Sequence, residues 1–202
     1  MAKYSEDHKR ATREAILKHA AERFRREGIA AVGVRPLMAD AGLTHGGFYS
    51  HFGSRADLVA ETLEYASAST HAYFEKAVAD CPDDKKLETI VRRYLRPIHR
   101  DHMGLGCSIS ALGPEIARES EATRLRLTPR NLGLVRLITE NLPAGGDADE
   151  RSERASVVFG AMLGTLQLMR IETDPEIAAR LAKAGCEAAL RIASAPWRSP
   201  AA

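Results

Sequence analysis

Val34-Arg35-Pro36-Leu37-Met38-Ala39-Asp40-Ala41-Gly42-Leu43-Thr44-His45-Gly46-Gly47-Phe48-Tyr49-Ser50-His51-Phe52 is the stretch on which the reading of this chain turns. Pro36 lacks an amide hydrogen and is tolerated only in the first turn of a helix, so the helix that it opens is brief. Gly42 breaks that helix, Leu43 supplies an apolar plug, and Thr44 is a good N-cap for another brief helix ending near His51 and Phe52. Leu37, Met38, Ala41, Leu43, Phe48 and Phe52 read as packing residues. Thr44, His45, Gly46, Gly47, Tyr49, Ser50 and His51 are left on the outer face.

Two such short helices need a core from elsewhere. Residues 8–27 provide it, with Ile16, Ala20 and Phe24 on one helical face, joined by Leu17 and Ala21. Gly28 then supplies a left-handed stop, over which Ile29 folds back. On the other side, Ser54-Arg55-Ala56-Asp57 resembles a capping box with Asp57 at its third helical position. It opens a long helix carrying Leu58, Val59, Thr62, Leu63 and Ala66 and running to about Ala79. Two short helices joined by a glycine turn and held between longer ones suit insertion into a DNA major groove, where one helix enters and its mate fixes the angle. Paired glycines at a helix start cost about 1 kcal/mol each in an interior position. Either they let the backbone approach phosphates or base edges closely, or they ease a tight turn.

Ile16 to Ala21, Phe24, Gly28 and the run Ala41-Gly42-Leu43-Thr44-His45-Gly46-Gly47-Phe48-Tyr49-Ser50-His51-Phe52-Gly53-Ser54-Arg55-Ala56-Asp57-Leu58 resemble the signature of the TetR/AcrR family of transcriptional regulators. The likeness covers about the first third of the chain. It implies a DNA-binding domain over residues 1–60 and a helical effector-binding and dimerisation domain over residues 61–202. It further implies a homodimer on palindromic double-stranded operator DNA, released by a small-molecule effector, with no enzymatic activity and no resident cofactor. By the same resemblance Thr44, Tyr49 and His51 touch phosphates or support docking, His45, Gly46, Gly47 and Ser50 face bases, and Arg55 approaches the backbone. Arg35, beside the second helix, reads as a further phosphate contact or as a merely solvated arginine, and the same two readings cover Lys9, Arg10 and Arg13. His45 stands where the family usually has lysine or arginine, so it offers an edge-reading imidazole in place of a phosphate-seeking cation. Gly33 replaces a common threonine cap, and Pro36 a polar residue.

The fold class expected is all-α. Cys81-Pro82-Asp83-Asp84 reads as a turn in which Asp83 or Asp84 caps a helix through His99, kinked near its end by Pro97. Further helices are expected over residues 109–119, 121–141, 149–172 and 175–193. Thr128-Pro129 is a candidate break, Asp174 a cap, and Pro175 a first-turn proline. Residues 195–202 read as a frayed tail. Small residues three or four apart, Gly160, Ala161 and Gly164 in one helix and Ala182, Gly185 and Ala189 in the next, let helix backbones approach closely; a four-helix interface between two copies is preferred over a tight monomer core. Phe74, Met103, Met162, Leu166 and Met169, with His99 as a polar handle, are candidate pocket walls, and each also reads as ordinary core.

Composition bounds the rest. In 202 residues, 45% are hydrophobic and 28% charged, a globular balance. Neither a membrane span nor a secretory leader is legible, which places the chain in the cytoplasm. The net charge of +2 is too small to announce nucleic acid; residues 1–60 hold ten Lys/Arg against seven Asp/Glu and four of the seven histidines. Cys81, Cys107 and Cys186 match no zinc or disulfide spacing. Cys107, at the start of a helix, is either a thiol or electrophile sensor or a buried small hydrophobe. Glu115 and Glu119 read as a solvated face. A helical enzyme or carrier finds little support, since no G-x-S-x-G, H-E-x-x-H, P-loop or G-x-G-x-x-G is present.

Overall fold

In the computed structural model, which describes residues 2–197, Gly28 ends α1 (Ala2–Glu27) in the left-handed region at φ 88°, and its N–H returns to the carbonyl of Phe24 at 2.8 Å. Ile29 folds under the helix end and is buried. α1 starts earlier than the apolar periodicity suggests, because residues 6–11, which precede the buried Ile16, are exposed and carry no core face. α2 (Val34–Asp40) closes through Gly42 at φ 72°. There Leu43 N–H reaches Met38 O and Gly42 N–H reaches Ala39 O, both at 2.9 Å, which is the paired closure of a Schellman motif.

His45–Ser50 then forms a 3-10 helix rather than an α-helix. Six residues have few i→i+4 bonds to gain, so the tighter turn suffices. Thr44 occupies the N-cap position with φ −78° and ψ 152°, yet its hydroxyl makes no capping bond; only its carbonyl accepts, from Gly47 N–H at 3.1 Å. The Ser54 cap forms as expected. Its hydroxyl accepts from Asp57 N–H at 3.0 Å and lies 2.9 Å from the Asp57 carboxylate, opening α3 (Arg55–Val78).

Two later expectations change. α4 (Asp83–Tyr94) has Pro82 at its N-cap with no side-chain cap bond, and Asp83 and Asp84 lie inside the first turn, where their charge favours the helix dipole. Pro97 does not kink a continuing helix; it starts a new one, α5 (Pro97–Asp101), at the position where its missing N–H is harmless. α6 (Ser108–Ile116) and α7 (Glu121–Arg126) follow, and a 3-10 turn at Pro129–Asn131 separates α7 from α8 (Gly133–Glu140), the break that Thr128-Pro129 signals. α9 (Ala148–Ile171) is capped by Asp147 and α10 (Pro175–Ala193) by Asp174. Among the described residues there is no strand, and no helix is long and apolar enough to cross a membrane.

The chain forms two compact units. The first reaches Ala68, within α3, and also takes in Met103–Leu127. Ile16, Ala20 and Phe24 of α1, Leu37 and Met38 of α2, Phe48, Phe52, Leu58 and Leu63 make its core. The second unit holds Ser69–His102 and Thr128–Ala202. Its centre is the antiparallel pair α9 and α10, where a Cβ on Gly185 would lie 2.4 Å from the Thr165 methyl. The first residues of the expected frayed tail are instead held. Trp197 donates its indole N–H to Ala144 O at 2.8 Å, and the Arg154 guanidinium lies 3.5 Å from its ring centre. Residues 198–202 lie outside the described residues.

Candidate nucleic-acid interface

Phe48 decides which way the 3-10 segment faces. Its ring is buried and stacks on Phe52 with centroids 5.6 Å apart, so Thr44, His45, Gly46, Tyr49 and Ser50 are turned outward and are exposed. Gly47 is partly covered, and Tyr49, the edge-on neighbour of Phe48, is 70% exposed.

Arg13 fixes the far end of the segment. Its Nε donates to the His51 carbonyl at 3.3 Å, its Nη2 pairs with the Glu61 carboxylate, and the guanidinium lies 4.9 Å from the centre of the Phe52 ring. One residue of α1 therefore ties the end of the reading segment to α3. Sequence reasoning placed Arg13 only as a possible phosphate contact; the spacing of 38 residues to His51 carries no local signal. His51 itself is partly buried, with Nδ1 covered. Burial first, and then the charges of Lys9 and Arg13, push its imidazole below the ordinary 6.5. At neutral pH this side chain is an uncharged hydrogen-bonding group.

The paired glycines have no internal reason to be glycine. Neither has a positive φ; a Cβ at Gly46 would meet nothing within 4 Å, and one at Gly47 would make ordinary contacts with Thr44 and Met38 at 3.8 and 3.9 Å. Easing a tight turn is therefore not their role in this fold. Ser50 Oγ donates to Gly47 O at 2.6 Å, so this hydroxyl offers its lone pairs outward. Arg35 is exposed on α2. Arg55 is exposed too, but its Nη2 donates to Ile29 O at 2.7 Å and Val32 O at 3.4 Å, which binds the α1–α2 connection to the start of α3.

The remaining candidates fall as follows. Phe74, Met162, Leu166 and Met169 are buried in the second unit, whose aromatic centre is Tyr94, flanked by Phe74, Phe159 and His99 with centroids 6.2, 5.9 and 4.5 Å away. His99 Nδ1 lies 2.7 Å from Tyr94 O, and burial, with Arg170 adding to it, pushes the imidazole down to about 4. Met103 belongs to the first unit and is 40% exposed, so the expected group of six is not one cluster within a unit. Of the small residues, Gly160 and Gly164 are exposed with open space where a Cβ would lie, and Ala161 and Ala182 are partly covered. Gly185 and Ala189 are buried where α10 packs on α9, so they serve packing within the chain. An outer stripe of α9 that the sequence reading did not single out, Val157, Leu168 and Ile171, is exposed along with the two glycines. Cys107 sits at the N-cap of α6 and is 5% exposed. Glu115 is not a merely solvated residue, because it accepts the Ile29 N–H.

Residues 16–62 match the sequence model of the family described as bacterial regulatory proteins, tetR family. No curated protein sequence matches. Among solved structures, the chain is similar to reduced NemR from E. coli, at 18% identity and a TM-score of 0.72 over 89% of this chain and 95% of that one. It is similar to a TetR transcriptional regulator from Chloroflexus aurantiacus J-10-FL, at 24% identity and 0.71 over 93% and 97%. It is also similar to the transcriptional regulator FadR from Bacillus subtilis in complex with stearoyl-CoA, at 15% identity and 0.65 over 89% and 97%. At these identities the likeness is one of fold.

Proposed function

Because the chain belongs to the TetR family of DNA-binding transcriptional regulators, we propose that it acts as a ligand-released repressor gripping a palindromic operator as a homodimer. It is a regulator and not an enzyme. The observation that carries the proposal is the 3-10 segment itself: one buried aromatic anchors it, and its outward residues are exposed donors, acceptors and bare backbone. In this reading Tyr49, Thr44 and His51 engage phosphates, joined by Arg35, while His45, Gly46, Gly47 and Ser50 lie against base edges. Arg55 acts chiefly by holding the head together, since its guanidinium already binds two carbonyls.

A homodimer would present two such segments one turn of DNA, about 34 Å, apart. Support comes from the outer face of α9, where Val157, Gly160, Gly164, Leu168 and Ile171 form an exposed apolar stripe of the kind that a second copy covers. The second unit would hold the effector, a small molecule whose affinity differs between DNA-competent and released states. FadR, which shares the fold, is known with stearoyl-CoA, and the apolar residues around Tyr94 suit a ligand with an apolar portion. A thiol trigger at Cys107 is the weaker alternative, because that side chain is buried.

Selection of duplexes from a random pool with the full-length protein tests the proposal. Inverted repeats with half-site centres one helical turn apart are the expected product, and a single asymmetric site, bound by one copy, would contradict it.

A further inference from the structure

Glycine at position 46 costs backbone entropy that nothing in the free protein offsets. The residue is exposed, its φ is not positive, and a methyl there would meet no atom within 4 Å. Whatever makes a bare backbone useful at this point lies outside the chain. The surrounding surface narrows what that is. Residues 44–51 include no Arg, Lys, Asn or Gln, which make paired hydrogen bonds to guanine or adenine in the major groove, and no Asp or Glu, which accept from the cytosine amino group. Ser50 donates its hydroxyl proton to Gly47 O and keeps only lone pairs to offer; with Thr44, Tyr49 and His51 given to phosphates in the proposed docking, the exposed His45 imidazole is the side-chain donor left for a base. Hydrogen-bonded reading is thus sparse on this face.

The other feature that distinguishes bases in the major groove is the C5-methyl of thymine, the groove's one apolar projection. We propose that each operator half-site places a thymine against Gly46, with the C5-methyl packed on the bare backbone where a Cβ would otherwise stand. The absent side chain and the projecting methyl occupy the same volume, so this position selects thymine by shape. The inference rests on the proposed docking of residues 44–51 in the major groove and adds the identity of one base.

The test uses the full-length protein and duplexes selected from a random pool, in which each thymine is replaced in turn by uracil, which lacks only the C5-methyl. At one thymine per half-site, uracil weakens binding about fourfold, the effect of leaving one methyl group exposed, and about fifteenfold when both half-sites are changed. Gly46→Ala melts at or slightly above the wild-type temperature, because the methyl meets nothing and removes unfolded-state entropy; it loses at least about tenfold on the thymine duplex, and loses less on the uracil duplex because the two methyl groups compete for one space. Uracil tolerated at every position overturns the inference while leaving the DNA-binding reading intact, and so does wild-type affinity of Gly46→Ala for the thymine duplex. Failure to select any duplex overturns both. The uracil series on wild-type protein does not depend on how the variant folds.

Discussion

The backbone N–H of Ile29 donates to the carboxylate of Glu115 at 2.7 Å, across 86 residues of chain. The same carboxylate crowds the left-handed Gly28, where a Cβ would come within 3.2 Å of it, so one side chain from α6 fixes the turn at which α1 ends. Glu115→Ala leaves a partly buried amide without its acceptor and lowers stability by about 2 kcal/mol, the usual size for a hydrogen bond to a charged group. Glu115→Gln keeps an acceptor and loses less. Urea unfolding of the two variants measures the difference; equal midpoints for wild type and Glu115→Ala would show the bond to be unimportant.

Leu168 and Ile171 project from α9, 56% and 76% exposed. Placing a charge there leaves the chain's own core untouched and penalises burial by a second copy. If the proposed homodimer forms through this face, wild type sediments as a dimer and Leu168→Glu as a monomer at the same concentration, with an unchanged helical circular-dichroism spectrum. A variant that stays dimeric would move the interface to another face.

His99 makes stability depend on pH in a defined direction. Its ionisation falls from the ordinary 6.5 to about 4 in the folded chain, through burial first and Arg170 second. The unfolded chain therefore takes up this proton below pH 6.5 while the folded chain does not until near pH 4. The contribution is full above 6.5 and is lost between 6.5 and 4 at up to about 1.4 kcal/mol per pH unit. His99→Asn, which keeps a donor for Tyr94 O, should flatten that part of the stability curve. Parallel curves for variant and wild type would remove His99 from the account.

What the sequence made legible was local. Gly28, Gly42, Ser54 and Asp174 mark helix ends through chemistry contained within a few residues, and the structure puts the helix ends there. The outward placing of Thr44, His45, Gly46, Tyr49 and Ser50 and the inward placing of Phe48 and Phe52 followed from the same short-range pattern, whereas Gly47 and His51 are partly covered. Expectations failed where a distant partner decides. Arg13 looked like a free surface cation until α3 and the end of the reading segment closed around it. Gly185 and Ala189 looked like an interface until α10 was seen to need them against α9. Trp197 stood in a tail rich in Pro, Ser and Ala, and nothing local announced that Gly145 and Gly146 form the notch that receives its ring. The 3-10 form of His45–Ser50 was also missed, since cap and glycine signals mark where a helix begins but not its pitch.

Tyr49 tests the central claim most directly. It is 70% exposed and meets the buried Phe48 ring edge-on, so its removal leaves the fold in place. In a gel-shift titration with the selected duplex, Tyr49→Ala should bind at least about tenfold more weakly while melting at the wild-type temperature. Undiminished affinity in a normally folded Tyr49→Ala protein would contradict the docking of this face on DNA.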